Sequence, residues 1–289
     1  MSLPRRLLAR LRRPTPPAPD PGPPRWEGDL PASPWDRSAP GEGCWCRICG
    51  WTGPAFEGTE HVESLTCPQC GSIARDRFLF HCFVATTSRP ASRLRVLETS
   101  PRLDERYRAA MGTWFDYLSS DFDERAHKGA IRVDLQDIDL PDRSLDVVLT
   151  PHVLEHVPDT DRALAELHRV LAPGGTVFLQ VPLLQSRTAP PTEPEFHGDD
   201  TPVFWRFGWD LTDRLRAHGF EVSTLVPESL ATAAGGSWPP PHSPEFDVDD
   251  IVAAAPAHEL EVVADDDASH GQGFRPGYMF VTWRARRRT

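Results

Sequence analysis

Two Cys-x-x-Cys-Gly turns, Cys46-Arg47-Ile48-Cys49-Gly50 and Cys67-Pro68-Gln69-Cys70-Gly71, stand seventeen residues apart in a chain of 289. Each turn places two thiolates on one tight bend, and its glycine permits the left-handed backbone that aims amides at sulfur. Two knuckles facing one another complete a tetrahedral site, so Cys46, Cys49, Cys67 and Cys70 are the expected ligands of a Zn2+ ion. Four thiolates leave no position for water, which makes the expected role structural. The competing reading is a pair of buried free-cysteine turns. Cys44 is a spare neighbour of Cys46, His61 is a weaker ligand candidate between the knuckles, and Cys82, among Phe78, Leu79, Phe80 and Phe83, reads as a core residue. Clustered cysteines without an export signal fit a reducing compartment, so a cytoplasmic protein is expected.

The remaining composition narrows the class. Hydrophobic residues make up 39% and charged residues 25%, the balance of a soluble globular protein. No apolar run approaches the ~18 residues of a bilayer span. The formal net charge of −11 counts against broad nucleic-acid binding, although Arg284 to Arg288 form a small cationic end. Met1 to Arg13 is basic, and residues 14–41 are rich in proline, as in Pro21-Gly22-Pro23-Pro24. Such composition does not bury enough apolar surface to offset its ordering entropy. Three regions are therefore expected: a disordered basic, proline-rich tail and linker over 1–41, a zinc ribbon over 42–74, and a larger domain over 75–289.

In that larger domain, strand-like and helix-like segments alternate. Strands are predicted at 94–98, 114–118, 130–133, 145–149, 176–181, 220–226 and 278–283. Helices are predicted at 75–85, 102–111 and 209–218, with the clearest one starting at Asp159 or Thr160 and carrying Leu164, Leu167 and Leu171 on one face. It stops at Ala172-Pro173-Gly174-Gly175. Short loops between alternating elements imply an α/β fold, a doubly wound, seven-stranded and mostly parallel sheet. Residues 228–276, with Pro239-Pro240-Pro241 and Asp265-Asp266-Asp267, break the rhythm and read as an insertion, partly disordered.

Doubly wound sheets bind ligands beyond the carboxyl ends of their central strands. The polar residues at those ends are Glu98-Thr99-Ser100, Asp121, Asp134 and Thr150-Pro151-His152. Three acids at three successive strand ends repel one another unless a cationic or hydroxyl-rich ligand lies across them. A nicotinamide-dependent dehydrogenase on such a sheet needs a glycine-rich fingerprint opening the first helix, and Pro101 to Glu105 supplies none.

The stretch Val133-Asp134-Leu135, Leu140 to Val148, His152-Val153-Leu154-Glu155-His156-Val157-Pro158-Asp159 and Glu166 to Gly175 resembles the later motifs of class I S-adenosylmethionine-dependent methyltransferases. The resemblance covers about residues 94–226. With the cysteine knuckles in front, the chain is similar to a bacterial zinc-ribbon subgroup of that family. The resemblance implies S-adenosyl-L-methionine as cofactor, with Asp121 accepting from the ribose hydroxyls and Asp134 from the adenine amino group. It places Leu135 near the adenine ring, Glu98, Thr99 and Ser100 along the methionine end, and His152 by the transferable methyl. One departure is plain: the loop after the first strand, Glu98-Thr99-Ser100-Pro101-Arg102, has no glycine, where the family has a glycine-rich turn.

Methyl transfer needs alignment, exclusion of water and, for some acceptors, a base. His152 and His156 are the base candidates, since histidine titrates near neutrality; the alternative is that they cap or pack the following helix. His197, Trp205 and Arg206 lie after the fifth strand and are candidates for contact with a flat or anionic acceptor, or else a loop that covers the sheet. The expected partner is a small-molecule acceptor methylated on oxygen or nitrogen. The other function class is a non-catalytic module with a structural zinc ribbon, one that binds the cofactor only or whose ribbon recognises RNA or a partner.

Overall fold

The computed structural model describes residues 33–37, 39, 41–58, 65–123, 129–197, 200–236, 248–274 and 280–289. Of the disordered tail and linker expected over 1–41, residues 1–32 lie outside the described residues, as does His61. Pro34–Asp36, by contrast, form a 3-10 turn whose Trp35 packs edge-on against Phe83 and Phe115 and donates from Nε1 to the Thr87 carbonyl at 2.8 Å, so this end of the linker is ordered.

The cysteine module comes first. Strands Cys44–Trp45 (β1) and Thr52–Gly53 (β2) pair antiparallel around the first knuckle. Each knuckle closes the same way, Gly50 N–H donating to the Cys46 carbonyl at 2.8 Å and Gly71 N–H to that of Cys67 at 2.9 Å. Gly50 and Gly71 take φ of +78° and +72°, the left-handed conformation that the sequence pattern requires.

Helix α1 (Ala74–Thr86) follows at once, and the alternation begins with β3 (Arg95–Thr99), α2 (Glu105–Trp114), β4 (Asp116–Asp121), β5 (Ile131–Arg132), β6 (Leu145–Pro151), α3 (Thr160–Val170) and β7 (Leu171–Gln180). Asp159 caps α3 by accepting from Arg162 N–H at 3.0 Å. A small hairpin, β8 (Glu195–Phe196) and β9 (Pro202–Val203), precedes α4 (Leu211–Ala217) and β10 (Phe220–Pro227). The chain continues through α5 (Glu228–Ala234), α6 (Val248–Ala253), β11 (Leu260–Ala264), α7 (Asp266–Gln272) and β12 (Thr282–Arg287).

Among the described residues the main sheet has eight strands in the order β11-β10-β12-β7-β6-β3-β4-β5. Strand β12 alone runs antiparallel, between β10 and β7, and the other pairings are parallel. The sheet is mostly parallel, as expected, and its strand number corrects the expected seven. Period-two alternation divides its side chains between two cores. Val96, Val147 and Leu149 point into one with α1 and α2, while Leu97 and Val148 point into the other with α3 and α4. That pattern is what near-continuous apolar runs in a sheet covered on both faces produce.

The eighth strand comes from the stretch expected to be an insertion. β11 pairs parallel with β10 at the sheet edge, where a strand needs little burial, and only Ala264 of its five residues is buried. The acidic run after it is ordered for a reason of its own: Asp265 caps α7 by accepting from Ala268 N–H at 2.8 Å, with Asp266 and Asp267 in the first turn, where negative charge suits the helix dipole. Helix α7 then returns to the cysteine module, placing Gly271 against Trp45 and Phe274 against Phe78, whose ring centroids are 5.1 Å apart. The cysteine module and the sheet domain therefore share one hydrophobic core, with Cys46, Cys67, Phe78 and Phe274 in a single cluster.

Candidate active site

Parallel pairing of β3 with β4, β4 with β5 and β3 with β6 brings the carboxyl ends of four strands to one edge. Glu98 and Thr99 end β3, Asp121 ends β4, Asp134 follows β5 and His152 follows β6. All of these, with Ser100 and Leu135, line a single cavity of about 1150 Å3. A ligand site of ordinary size spans about 300–1,000 Å3, so this one has room for a nucleoside-sized cofactor and a second small molecule. The three strand-end acids predicted to converge do so.

Each acid has its own setting. Glu98 is buried, and its carboxylate accepts from the Tyr117 hydroxyl at 2.7 Å and the Tyr107 hydroxyl at 3.0 Å. Burial pushes its pKa up to about 7, against the pull of those two hydrogen bonds. Asp121 is also buried and accepts from the Ser100 hydroxyl at 3.2 Å. Asp134 uses Oδ1 to accept from Gln136 N–H at 2.9 Å, which holds the turn after β5. Leu135, beside it, is buried in the cavity wall.

The glycine-free loop after β3 resolves without glycine. Ser100 takes φ +50°, the left-handed conformation, while its N–H donates to the Ser120 carbonyl at 2.7 Å. His152 at the end of β6 does the same, with φ +51°. Backbone strain of this kind gathers at ligand sites.

The far side of the cavity is histidine-rich. His152, His156 and His197 all line it, and the His156 and His197 rings meet edge to face with centroids 4.6 Å apart. His156 Nδ1 donates to the Pro202 carbonyl at 2.8 Å, tying the β8–β9 hairpin to the 3-10 turn Leu154–His156. The other two acceptor candidates do not line the cavity. Trp205 turns away to donate from Nε1 to the Pro158 carbonyl at 3.0 Å, and Arg206 pairs with Glu195 at 2.8 Å. Phe204, next to them, does line it.

Sequence reasoning also missed part of the wall. Ile48 of the first knuckle and Arg75, Asp76 and Leu79 of α1 line the same cavity, because the cysteine module packs against it. Arg102, in the loop after β3, donates to the Gly71 carbonyl at 3.1 Å and pairs with Asp76. No local pattern marks these residues, since their neighbours lie in separate segments.

At the cysteine cluster, the Sγ atoms of Cys46, Cys49, Cys67 and Cys70 all lie within 4.8 Å of one another, and all four residues are buried. The Cys46–Cys70 and Cys49–Cys67 sulfur distances are 3.7 and 3.6 Å. Ligands on ~2.3 Å bonds around a tetrahedral zinc stand roughly 3.8 Å apart, so the arrangement fits that ion. Cys44 stands outside the cluster, its Sγ 3.9 Å from the His270 carbonyl, and Cys82 is a buried core thiol. Arg37 and Arg77 both lie close enough to feel the cluster's charge. Burial pulls the Arg37 pKa down to about 10, and the neighbouring Cys46, Cys49 and Cys70 oppose that shift. Buried guanidinium groups beside four sulfurs suit a dianionic tetrathiolate–zinc centre better than four neutral thiols.

The family model described as a methyltransferase domain matches residues 104–179, from the cap of α2 through nearly all of β7. A protein of Mycolicibacterium smegmatis named "Probable S-adenosylmethionine-dependent methyltransferase" is 34% identical over 95 residues, which are 32% of this chain and 35% of that protein. The chain thus spans about a third of the length of this curated relative. Among solved structures, the YcgJ protein from Bacillus subtilis is 14% identical, with a TM-score of 0.41, over 72% of this chain and 98% of its own. An S-adenosylmethionine dependent methyltransferase from Mesorhizobium loti is 17% identical, with a TM-score of 0.41, over 73% and 98%. Among the described residues, no helix is long and apolar enough to cross a membrane. Residues 104–179, set in a mixed, mostly parallel sheet, are thus similar to a methyltransferase domain.

Proposed function

We propose that the protein is an S-adenosylmethionine-dependent methyltransferase that methylates an oxygen or nitrogen atom of a small acceptor, and that its four-cysteine cluster holds a structural Zn2+. The observation that carries the reading is the convergence of Glu98, Asp121 and Asp134 on one cavity, in a chain whose residues 104–179 match the methyltransferase domain. When bound, the cofactor supplies a methyl group already activated on a sulfonium. The residues around it bind and orient. Asp121, with Ser100 braced on it, accepts from the ribose hydroxyls; Asp134 has Oδ2 left for the adenine amino group; Leu135 packs on the ring.

Glu98, Thr99 and Ser100 border the methionine end. His152 is the base facing the acceptor; His156, whose Nδ1–H is committed to the Pro202 carbonyl, joins His197 and Phe204 in shaping the acceptor's side of the cavity. We read 42–74 as the ribbon and 75–289 as the catalytic domain, and the buried, unpaired cysteines fit a reducing cytoplasm.

Calorimetric titration of the purified protein with S-adenosylhomocysteine is the direct test. Micromolar binding that weakens in Asp134→Ala supports the reading, and no binding by the wild-type protein removes it. Metal analysis giving well under one zinc per chain removes the zinc assignment.

A further inference from the structure

We infer that Glu155 is a positioning residue that fixes the tautomer of His152 and makes it the proton acceptor for methylation of a hydroxyl or N–H group. The inference rests on the methyltransferase reading above for its purpose, though not for its geometry.

The Glu155 side chain is only 2% exposed, and neither carboxylate oxygen has a hydrogen-bond partner among the described residues. Leaving a buried carboxylate without a donor is costly, so a site that keeps one needs a reason. Two imidazoles stand against it: His152 Nδ1 lies 3.6 Å and His156 Nε2 3.9 Å from the same oxygen, Oε1. The Glu155 backbone is committed too, its carbonyl accepting from Phe204 N–H at 2.8 Å. That bond anchors the β8–β9 hairpin beside the cavity.

Protons can be placed from the acceptors alone. A carbonyl oxygen only accepts, so His156 Nδ1, at 2.8 Å from the Pro202 carbonyl, carries hydrogen. A carboxylate likewise only accepts, and His156, with its hydrogen on Nδ1 committed to Pro202, has only the Nε2 lone pair to turn toward it. The nearer ring, His152, is therefore the one that presents a donor, Nδ1–H, to Glu155. The other nitrogen of His152, Nε2, is then the free acceptor on a ring that lines the cavity. Distances of 3.6 and 3.9 Å exceed a hydrogen bond, as at sites that tighten when charge develops. The left-handed backbone of His152, φ +51°, holds the ring in this place at some cost in strain.

The step balances as follows. The nucleophilic atom X of the acceptor gives an electron pair to the methyl carbon, and the electron pair of the breaking sulfur–methyl bond returns to sulfur. The X–H proton passes to His152 Nε2. His152 becomes an imidazolium paired with Glu155, whose buried negative charge is no longer uncompensated. The acceptor class is therefore one with a proton on the nucleophilic atom, a hydroxyl or an amine, and excludes thioethers and tertiary amines.

Nitrogen-15 NMR of histidine-labelled protein tests this directly. Spectra are taken near pH ~8.5, where ordinary imidazoles are neutral, and His152 is assigned with a His152→Asn variant. The expected wild-type signature is Nδ1–H on His152. Glu155→Met is expected to lose that signature in favour of the Nε2–H form, and Glu155→Gln, whose amide oxygen still accepts, to keep it. An Nε2–H signature in the wild type, or no change in Glu155→Met, overturns the inference. If Glu155→Met does not fold, the wild-type spectrum still decides. Titration of the wild type with S-adenosylhomocysteine alongside separates the two claims: absence of binding there removes the methyltransferase reading, whereas the tautomer speaks only to Glu155.

Discussion

The Arg77 guanidinium in α1 donates from Nε to the Gln272 carbonyl at 2.9 Å, across 195 positions of sequence. The same group donates to the Ser72 carbonyl at 2.6 Å and to the Leu65 carbonyl at 3.0 Å, and it stacks over Phe56. A fully buried arginine thus joins the cysteine module, the first helix and the returning helix α7. Its planar fork of donors is what lets one side chain serve three carbonyls.

Arg77→Met should therefore destabilise the whole protein by about 3–5 kcal/mol, since three buried carbonyls lose their donor. Arg77→Lys should recover little of that loss, because an ammonium is a point charge on a flexible stem. Urea unfolding of both variants measures it. A loss of under about 1 kcal/mol in Arg77→Met would show that the module and the sheet domain are not coupled through this residue.

Loss of the proposed zinc should reach the cavity as well as the fold. Ile48 lines the cavity from one knuckle, and Arg102 is held by the Gly71 carbonyl of the other. Cys67→Ser should drop metal content below one per chain. It should lower the melting temperature by roughly 10 °C, as expected when several kcal/mol of metal-linked folding energy is lost. Affinity for S-adenosylhomocysteine should fall with it. Unchanged affinity in the metal-depleted protein would mean that the cavity wall stands without the ribbon.

Much of this arrangement is legible in the sequence, and the boundary is physical. The knuckles, the capped helix α3 and the strand-end acids follow from spacing, because each depends on residues a few positions apart. The side chains of Trp205 and Arg206 do not, since their directions are set by Pro158 and Glu195, distant in sequence. Strand β11 is a five-residue edge element beside an acidic run, and its pairing with β10 supplies what its own pattern lacks. Tyr107 and Tyr117 read as helix and strand residues until the fold brings both hydroxyls to Glu98. Ser100 is named from its place at the strand end, but its backbone is not legible, since it adopts a left-handed conformation usually left to glycine.

Two buried groups should give opposing pH dependences. His81 donates from Nε2 to the Val263 carbonyl at 2.8 Å and accepts at Nδ1 from Gln272 at 2.9 Å, so it is held neutral. Burial pulls its pKa down to about 4. As pH falls below 6.5 the unfolded chain takes up a proton that the folded chain refuses, and stability is lost down to pH about 4. Glu98 works the other way. With its folded pKa near 7 and the unfolded one at 4.5, the folded state keeps a proton that the unfolded state has released, so stability falls as pH rises from 4.5 to about 7. Each contributes about 3 kcal/mol over its window, and the two largely cancel between 4.5 and 6.5. Glu98→Gln should unmask a stability that rises with pH there, and His81→Gln one that falls. Denaturant midpoints at a series of pH values read both slopes. The same sign in both variants would refute this pairing.

Asp121 is the residue on which cofactor affinity should depend most sharply. It is buried at the end of β4, accepts from the Ser100 hydroxyl at 3.2 Å and lines the cavity. Gly129 in the following loop passes so close that an added Cβ would stand 2.6 Å from the Asp121 nitrogen. The side chain is therefore aimed by a backbone contact that only glycine allows. Asp121→Asn keeps the shape and removes the charge, and should weaken S-adenosylhomocysteine binding by about 10- to 100-fold, the 1.5–3 kcal/mol range of a charged hydrogen bond. Gly129→Ala should weaken it too, with the carboxylate intact, by shifting the strand end. Calorimetry on both variants, with circular dichroism to verify folding, separates charge from placement. If Asp121→Asn binds as tightly as the wild type, the ribose is held by something other than this carboxylate.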